Sequence, residues 1–142
     1  MTVALLDSNV LIAYASARDQ YHEAGAAIVR GFDHGNFPDG IVVEYVLAET
    51  LNFVHERLGH STALDLHDRL KRGDGFDLVR VTNEDYYRAD DLFQRYDGLS
   101  FVDASIAAYM RRTEIEYLYS FDDDFNAVET LTRLDSAVNP YA

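Results

Sequence analysis

The chain contains no cysteine, which excludes both a disulfide framework and a thiolate-ligated metal site. Long apolar runs are also missing. The hydrophobic stretch at the N-terminus is far too short to span a membrane, and no basic segment precedes it. The expectation is a soluble cytoplasmic protein with no membrane partner. Basic residues are scarce: Lys71 is the only lysine, and 12 bases face 25 acids for a net charge of -13. Such a balance argues against nucleic-acid binding, which ordinarily needs bases to neutralise phosphates. A metal-loaded acidic site, or strong screening by salt, would soften that objection. Arginine in place of lysine within an acidic chain resembles adaptation to high salt, where surface charge favours solubility. His22, His55 and His60 match no recognised zinc spacing.

What remains is a chain of 142 residues, expected to form one domain over 1–142 and to bury roughly two-thirds of its surface. Short apolar runs at 3–6, 41–43, 76–81, 116–121 and 131–134 read as strands. Between them, helical spacing covers 10–17, 21–31, 44–58, 62–72, 82–96 and 100–112. In the third helix Leu47, Leu51, Val54 and Leu58 recur at four, three and four. No repeats, linkers or low-complexity segments interrupt the alternation. It predicts an α/β fold, a three-layer α/β/α domain with a mainly parallel sheet of four to five strands.

Most acids have polar neighbours, and solvent explains them. Four do not. Asp7 ends the run Val3-Ala4-Leu5-Leu6, where the crevice of an open parallel sheet gathers ligands; Ser8 or Asn9 is placed to cap the helix that follows. Glu49 lies in Tyr45-Val46-Leu47-Ala48-Glu49-Thr50-Leu51-Asn52-Phe53, a helix apolar enough to be largely buried, and a buried carboxylate needs a partner or a cation. Its alternative is a shoulder position between Leu47 and Phe53. Asp103 follows Ser100 by three residues, which fits a capping box as well as a functional site. Asp122 ends the run Tyr117-Leu118-Tyr119-Ser120-Phe121, repeating the arrangement of Asp7. Asp124 could present to the same side, and Asp123 is expected to face solvent. Carboxylates converging at one sheet end raise one another's pKa unless a cation intervenes. An all-oxygen donor set selects Mg²⁺ or Mn²⁺, and the chemistry implied is phosphodiester hydrolysis.

Leu-Leu-Asp-Ser-Asn-Val-Leu-Ile at the start, the glutamate near residue 50, Leu-Ser-Phe-Val-Asp-Ala-Ser-Ile-Ala-Ala and Tyr-Ser-Phe-Asp-Asp-Asp-Phe together resemble the PIN-domain family over the whole chain. The length resembles its VapC toxins, the ribonuclease halves of toxin–antitoxin pairs. The resemblance implies an endoribonuclease dependent on Mg²⁺ or Mn²⁺. Asp7, Glu49, Asp103 and Asp122 would form its catalytic, metal-holding cluster, with Asp124 a further metal ligand. Asn9 and Ser100 would orient carboxylates or bound waters. It also implies an RNA substrate, a homodimer, and a small antitoxin partner whose tail enters the site. The triple Asp is ambiguous against the family's Phe-Asp-x-Asp-Phe pattern, which leaves the role of Asp124 open, and the acidity of the whole chain is a departure.

Arg18, Arg57, Arg95, Arg111 and Arg112 are the candidates for holding RNA phosphates, though Arg111-Arg112 also complements a helix dipole. Three other readings stand beside this one. A phosphate-signalling receiver would need a late lysine, and Lys71 lies mid-chain. A non-catalytic PIN-like binding module would use its acids for partners. A PIN nuclease of RNA processing would act outside a toxin pair.

Overall fold

The computed structural model describes residues 2–142. Strand β1 (Val3–Leu6) leads into helices α1 (Ser8–Ala15) and α2 (His22–Asp33), then strand β2 (Asp39–Val43). Helices α3 (Glu44–Leu58) and α4 (His60–Arg72) precede strand β3 (Phe76–Val79). Helices α5 (Asn83–Arg95) and α6 (Phe101–Thr113) lead to β4 (Tyr117–Tyr119), and a 3₁₀ turn over Asp123–Ala127 to β5 (Thr132–Leu134). The strands form one sheet in the order β3-β2-β1-β4-β5, and every pairing is parallel. The expected α/β architecture with a parallel sheet of four to five strands is the observed one, with five.

Parallel strands buried on both faces read as continuous apolar runs, and Ala4, Leu5, Leu6, Val42, Val43, Leu118 and Tyr119 are all fully buried. β1 therefore occupies the centre of the sheet. The chain first moves outward from β1 to β2 and β3, then returns past β1 to β4 and β5. Right-handed crossovers place α1 to α4 on one face and α5 and α6 on the other. In keeping with this, α1 packs on α2 and α3, α3 on α4, and α5 on α6. The strand order reverses between β1 and β4, which opens a crevice at their carboxyl ends.

Several local expectations are corrected. Helix α1 begins at Ser8, because Asp7 itself is the N-cap: its Oδ1 accepts the Ser8 backbone N–H at 2.8 Å. Ser8 and Asn9 are thus inside the first turn. Helix α4 starts at His60 without a side-chain cap, after Gly59 turns the chain at φ 99°, a conformation that only glycine adopts at no steric cost. Strand β4 stops at Tyr119, so Asp122 lies three residues beyond it. Helix α3 keeps its predicted bounds but buries only Val46, Thr50 and Val54. Glu49 faces outward.

One first-turn acid, suited by sequence to a helix dipole, is buried. Asp85 is 1% exposed and closes a capping box with Thr82 at the start of α5. Arg112 grips it through Nε at 2.7 Å and Nη2 at 3.0 Å. Burial works to raise the Asp85 pKa, and the Arg112 guanidinium with the Thr82 hydrogen bonds outweighs it, so the carboxyl is held below its usual value. Arg112 is therefore a structural tie between α5 and α6, already engaged where RNA contact was considered.

Candidate active site

Asp7 sits at the switch point, 3% exposed. Its backbone N–H continues the sheet by donating to the Tyr119 carbonyl at 3.0 Å. Because Leu6 pairs with Tyr119, the residue across from Asp7 is Ser120, fully buried. Ser120 Oγ donates to Asp7 Oδ2 at 2.7 Å and accepts the Asp122 backbone N–H at 3.0 Å. Asn9 Nδ2 donates to Asp7 Oδ2 at 3.2 Å and to Ser120 Oγ at 3.3 Å, and its Oδ1 accepts the Phe121 N–H at 3.2 Å. Asn9 thus stitches the first turn of α1 to the chain after β4. Three groups fix the Asp7 carboxylate, and two of them also fix the backbone that presents Asp122.

The other acids arrive from different elements. Glu49, exposed on α3, accepts a 2.5 Å hydrogen bond from the buried Ser8 hydroxyl on its Oε1. Asp103, half-buried, makes the expected capping box: its N–H donates to Ser100 Oγ at 3.1 Å, and its Oδ2 accepts the Ser100 N–H at 3.2 Å. Capping engages Oδ2 and leaves Oδ1 outside the box, so the two readings of Asp103 coexist. Asp122 caps the 3₁₀ turn, its Oδ1 accepting the Asp124 N–H at 2.9 Å. Asp124 and Asp123 lie exposed beside it, and one carboxylate oxygen from each of the three lies within 4.8 Å of the others.

The charges feel one another. Burial, with added repulsion from Asp103 and Glu49, pushes the Asp7 pKa up to about 7 against the hydrogen bonds of Ser120 and Ser8. Burial pushes Asp103 up to about 6, with Asp122 and Glu49 adding to it. Asp122 is likewise the main cause of a raised Asp124. None of these acids takes part in an ion pair among the described residues. Asp7, Glu49, Asp103 and Asp122 repel one another and none is paired with an arginine or lysine among the described residues, an imbalance that Arg133, bound to the Ser120 carbonyl at 3.1 Å, does not remove by pairing. That imbalance, and donors that are all oxygen, fit a hard divalent cation.

A protein-family model described as PIN domain matches residues 4–131. The chain belongs to the PIN-domain family. Among solved structures, this PIN domain resembles Mycobacterium tuberculosis VapC20, a toxin that cleaves the sarcin–ricin loop. They share 26% identity, a TM-score of 0.78, 98% of this chain and 100% of that one. A toxin–antitoxin complex from Klebsiella pneumoniae shares the fold at 18% identity and TM-score 0.70, covering 96% of this chain and 98% of the other. VapBC2 from Rickettsia felis, bound to a DNA fragment from its promoter, shares it at 11% and 0.70, covering 93% and 97%. No curated protein matches the PIN-domain sequence.

Two polar residues of this PIN domain carry more than the sequence suggested. Ser8 looked like a helix cap and instead holds Glu49. Ser120 drew no attention, although a lone serine between Tyr119 and Phe121 at a strand end was a usable signal. Its meaning depends on β1 and β4 being neighbours, which local pattern does not reveal.

Proposed function

We propose that this chain is a divalent-metal-dependent endoribonuclease, the toxin of a toxin–antitoxin pair, with Asp7, Glu49, Asp103 and Asp122 as its catalytic and metal-holding acids. The observation that carries the proposal is Asp7: an acid at the centre of the sheet's crevice, held rigidly by neutral donors and faced by acids. PIN-family membership and the likeness to an RNA-cleaving toxin over nearly the whole chain support RNA as the substrate. Toxin–antitoxin complexes among the structural neighbours support a small antitoxin partner.

Mg²⁺ or Mn²⁺ among these oxygens would supply Lewis acidity toward water and the scissile phosphate. The protein's part is positioning. Ser120, Asn9 and the Ser8 N–H keep Asp7 in one orientation, so that little reorganisation remains when a cation enters. Ser100 does the same for Asp103 and Ser8 for Glu49. Asp124 is a further ligand candidate through its place beside Asp122. Incubating the protein with single-stranded RNA in Mg²⁺ is expected to give internal cleavage, and EDTA is expected to abolish it.

The proposal includes a homodimer. Tyr86, Tyr87 and Phe93 on α5 are 47%, 69% and 47% exposed, and Tyr86 and Phe93 lean on Phe101, which in turn meets Tyr45. So many exposed rings on one face suit burial against a second copy. Light scattering is expected to give the mass of two chains, falling to one for Phe93→Glu.

A further inference from the structure

An aromatic pair stands beside Asp122, separate from the rings of α5. Tyr21, 43% exposed, lies against Phe121 with ring centroids 4.6 Å apart and planes 14° from parallel. Phe121 stands between Ser120 and Asp122, with its N–H held by Asn9. The stack is therefore tied to the same hydrogen bonds that fix Asp7.

Tyr21 is held as firmly from its own side. Its backbone N–H donates to Asp19 Oδ1 at 2.8 Å, and its carbonyl accepts the Gly25 N–H at 2.8 Å. Helix α2 lies so close to α1 that a Cβ on Gly25 would come within 2.8 Å of the Ala13 Cβ. That close approach sets where α2 begins, and hence where the Tyr21 ring stands. One ring face is covered by Phe121, while the residue stays exposed to solvent. Arg18, exposed, is three residues away on the same loop.

The charge of the chain gives this stack a purpose. A protein at -13 gains little from phosphate attraction, so affinity for RNA has to come from contacts indifferent to charge. Stacking of an unpaired base on a fixed aromatic ring is such a contact, and it is insensitive to base identity. Resting on the nuclease reading above, we infer that the Tyr21–Phe121 stack is a platform for an unpaired base of single-stranded RNA, seating the nucleotide beside the acids of the proposed site. The α1–α2 loop thereby selects unpaired over duplex RNA.

The test compares wild type, Tyr21→Phe and Tyr21→Leu in Mg²⁺ on single-stranded oligoribonucleotides carrying 2-aminopurine at successive positions. Each variant's thermal midpoint serves as a folding control. Tyr21→Leu is expected to raise KM roughly tenfold with kcat within about twofold, while Tyr21→Phe behaves as wild type. At one position, 2-aminopurine fluorescence is expected to be quenched by wild type and Tyr21→Phe and not by Tyr21→Leu. An unchanged KM and unchanged quenching in Tyr21→Leu would overturn the platform and leave the nuclease reading standing. Quenching that depends on Tyr21 in a wild-type protein that cuts no RNA would keep the platform and sink the nuclease. Tyr21→Leu weakening the binding of an antitoxin peptide alone, with RNA unaffected, would also overturn it.

Discussion

Asp7→Asn is expected to lower RNA cleavage by more than about 100-fold, the upper figure for losing a mere supporting partner of a metal ligand. It is also expected to make the metal-free protein more stable. The two effects have one cause. Asp7 is buried at the sheet's switch point and faces Asp103 and Glu49, so its ionised form is disfavoured and its pKa stands at about 7. A rise of about three units from the ordinary value corresponds to at most ~4 kcal/mol at a pH where the group must ionise. Asparagine removes the charge and keeps the shape. Its oxygen can still accept from the Ser8 N–H, but its amide cannot accept from the Ser120 hydroxyl as Oδ2 does. The cost is the bonds from Ser120 and Asn9, about 2 kcal/mol together. The net gain of ~2 kcal/mol raises the metal-free midpoint by about 5 °C near pH 8. A residue serving only as a helix cap would show no such gain, since asparagine caps a helix as well as aspartate does. Calorimetric melting of both proteins in EDTA distinguishes the two roles.

The second large effect is the pH dependence of that metal-free stability. Asp7 and Asp103 have folded pKa values of about 7 and about 6, both above the ordinary 3.8. A carboxyl whose folded pKa is raised binds more protons folded than unfolded between the two values. Stability is therefore fully present below about pH 4 for these groups and is lost as pH rises through 6 and 7. Asp85 has the opposite sign, because its folded pKa is lowered and its contribution is lost as pH falls. The comparison that isolates the cluster is wild type against Asp7→Asn with Asp103→Asn, in EDTA. The variant's advantage is expected to be slightly negative at pH 4, where only its lost hydrogen bonds count, and to reach about 3 kcal/mol by pH 8, less than the sum of the two shifts because they share one repulsion. Saturating Mg²⁺ is expected to abolish that advantage, because the cation binds only the wild-type folded state strongly.

Much of the fold could be read from local pattern. Helix α3 has its predicted bounds and β1 its predicted residues, because hydrophobic spacing and strand length are local signals. The departures come from non-local causes. Helix α1 starts early because its cap is the acid that also serves the crevice. Glu49 was expected in a buried helix, yet α3 lies buried along only one narrow stripe, and Glu49 reaches the site from the exposed side through Ser8. Asp85 looked like an ordinary first-turn acid until α6 brought Arg112 to it.

The site divides in the same way. The four acids stood out because strand ends, helix starts and apolar surroundings are visible in sequence. Ser120 did not, since its pairing with Asp7 requires the register Leu6 to Tyr119 across 113 residues. The charge of the chain, which spoke against a nucleic-acid ligand, is concentrated in part in the feature that fits a cation.

Among the described residues only Asp122, Asp123 and Asp124 bring donor oxygens within 4.8 Å of one another, and the proposed centre around Asp7 is the competing place for that cation. Calorimetric titration with Mn²⁺ of wild type, Asp7→Asn and Asp123→Asn tests the central claim most directly. Wild type and Asp123→Asn are expected to bind with the same affinity, and Asp7→Asn to lose at least tenfold. Binding that survives Asp7→Asn and disappears in Asp123→Asn would place the ion on the turn and contradict the account.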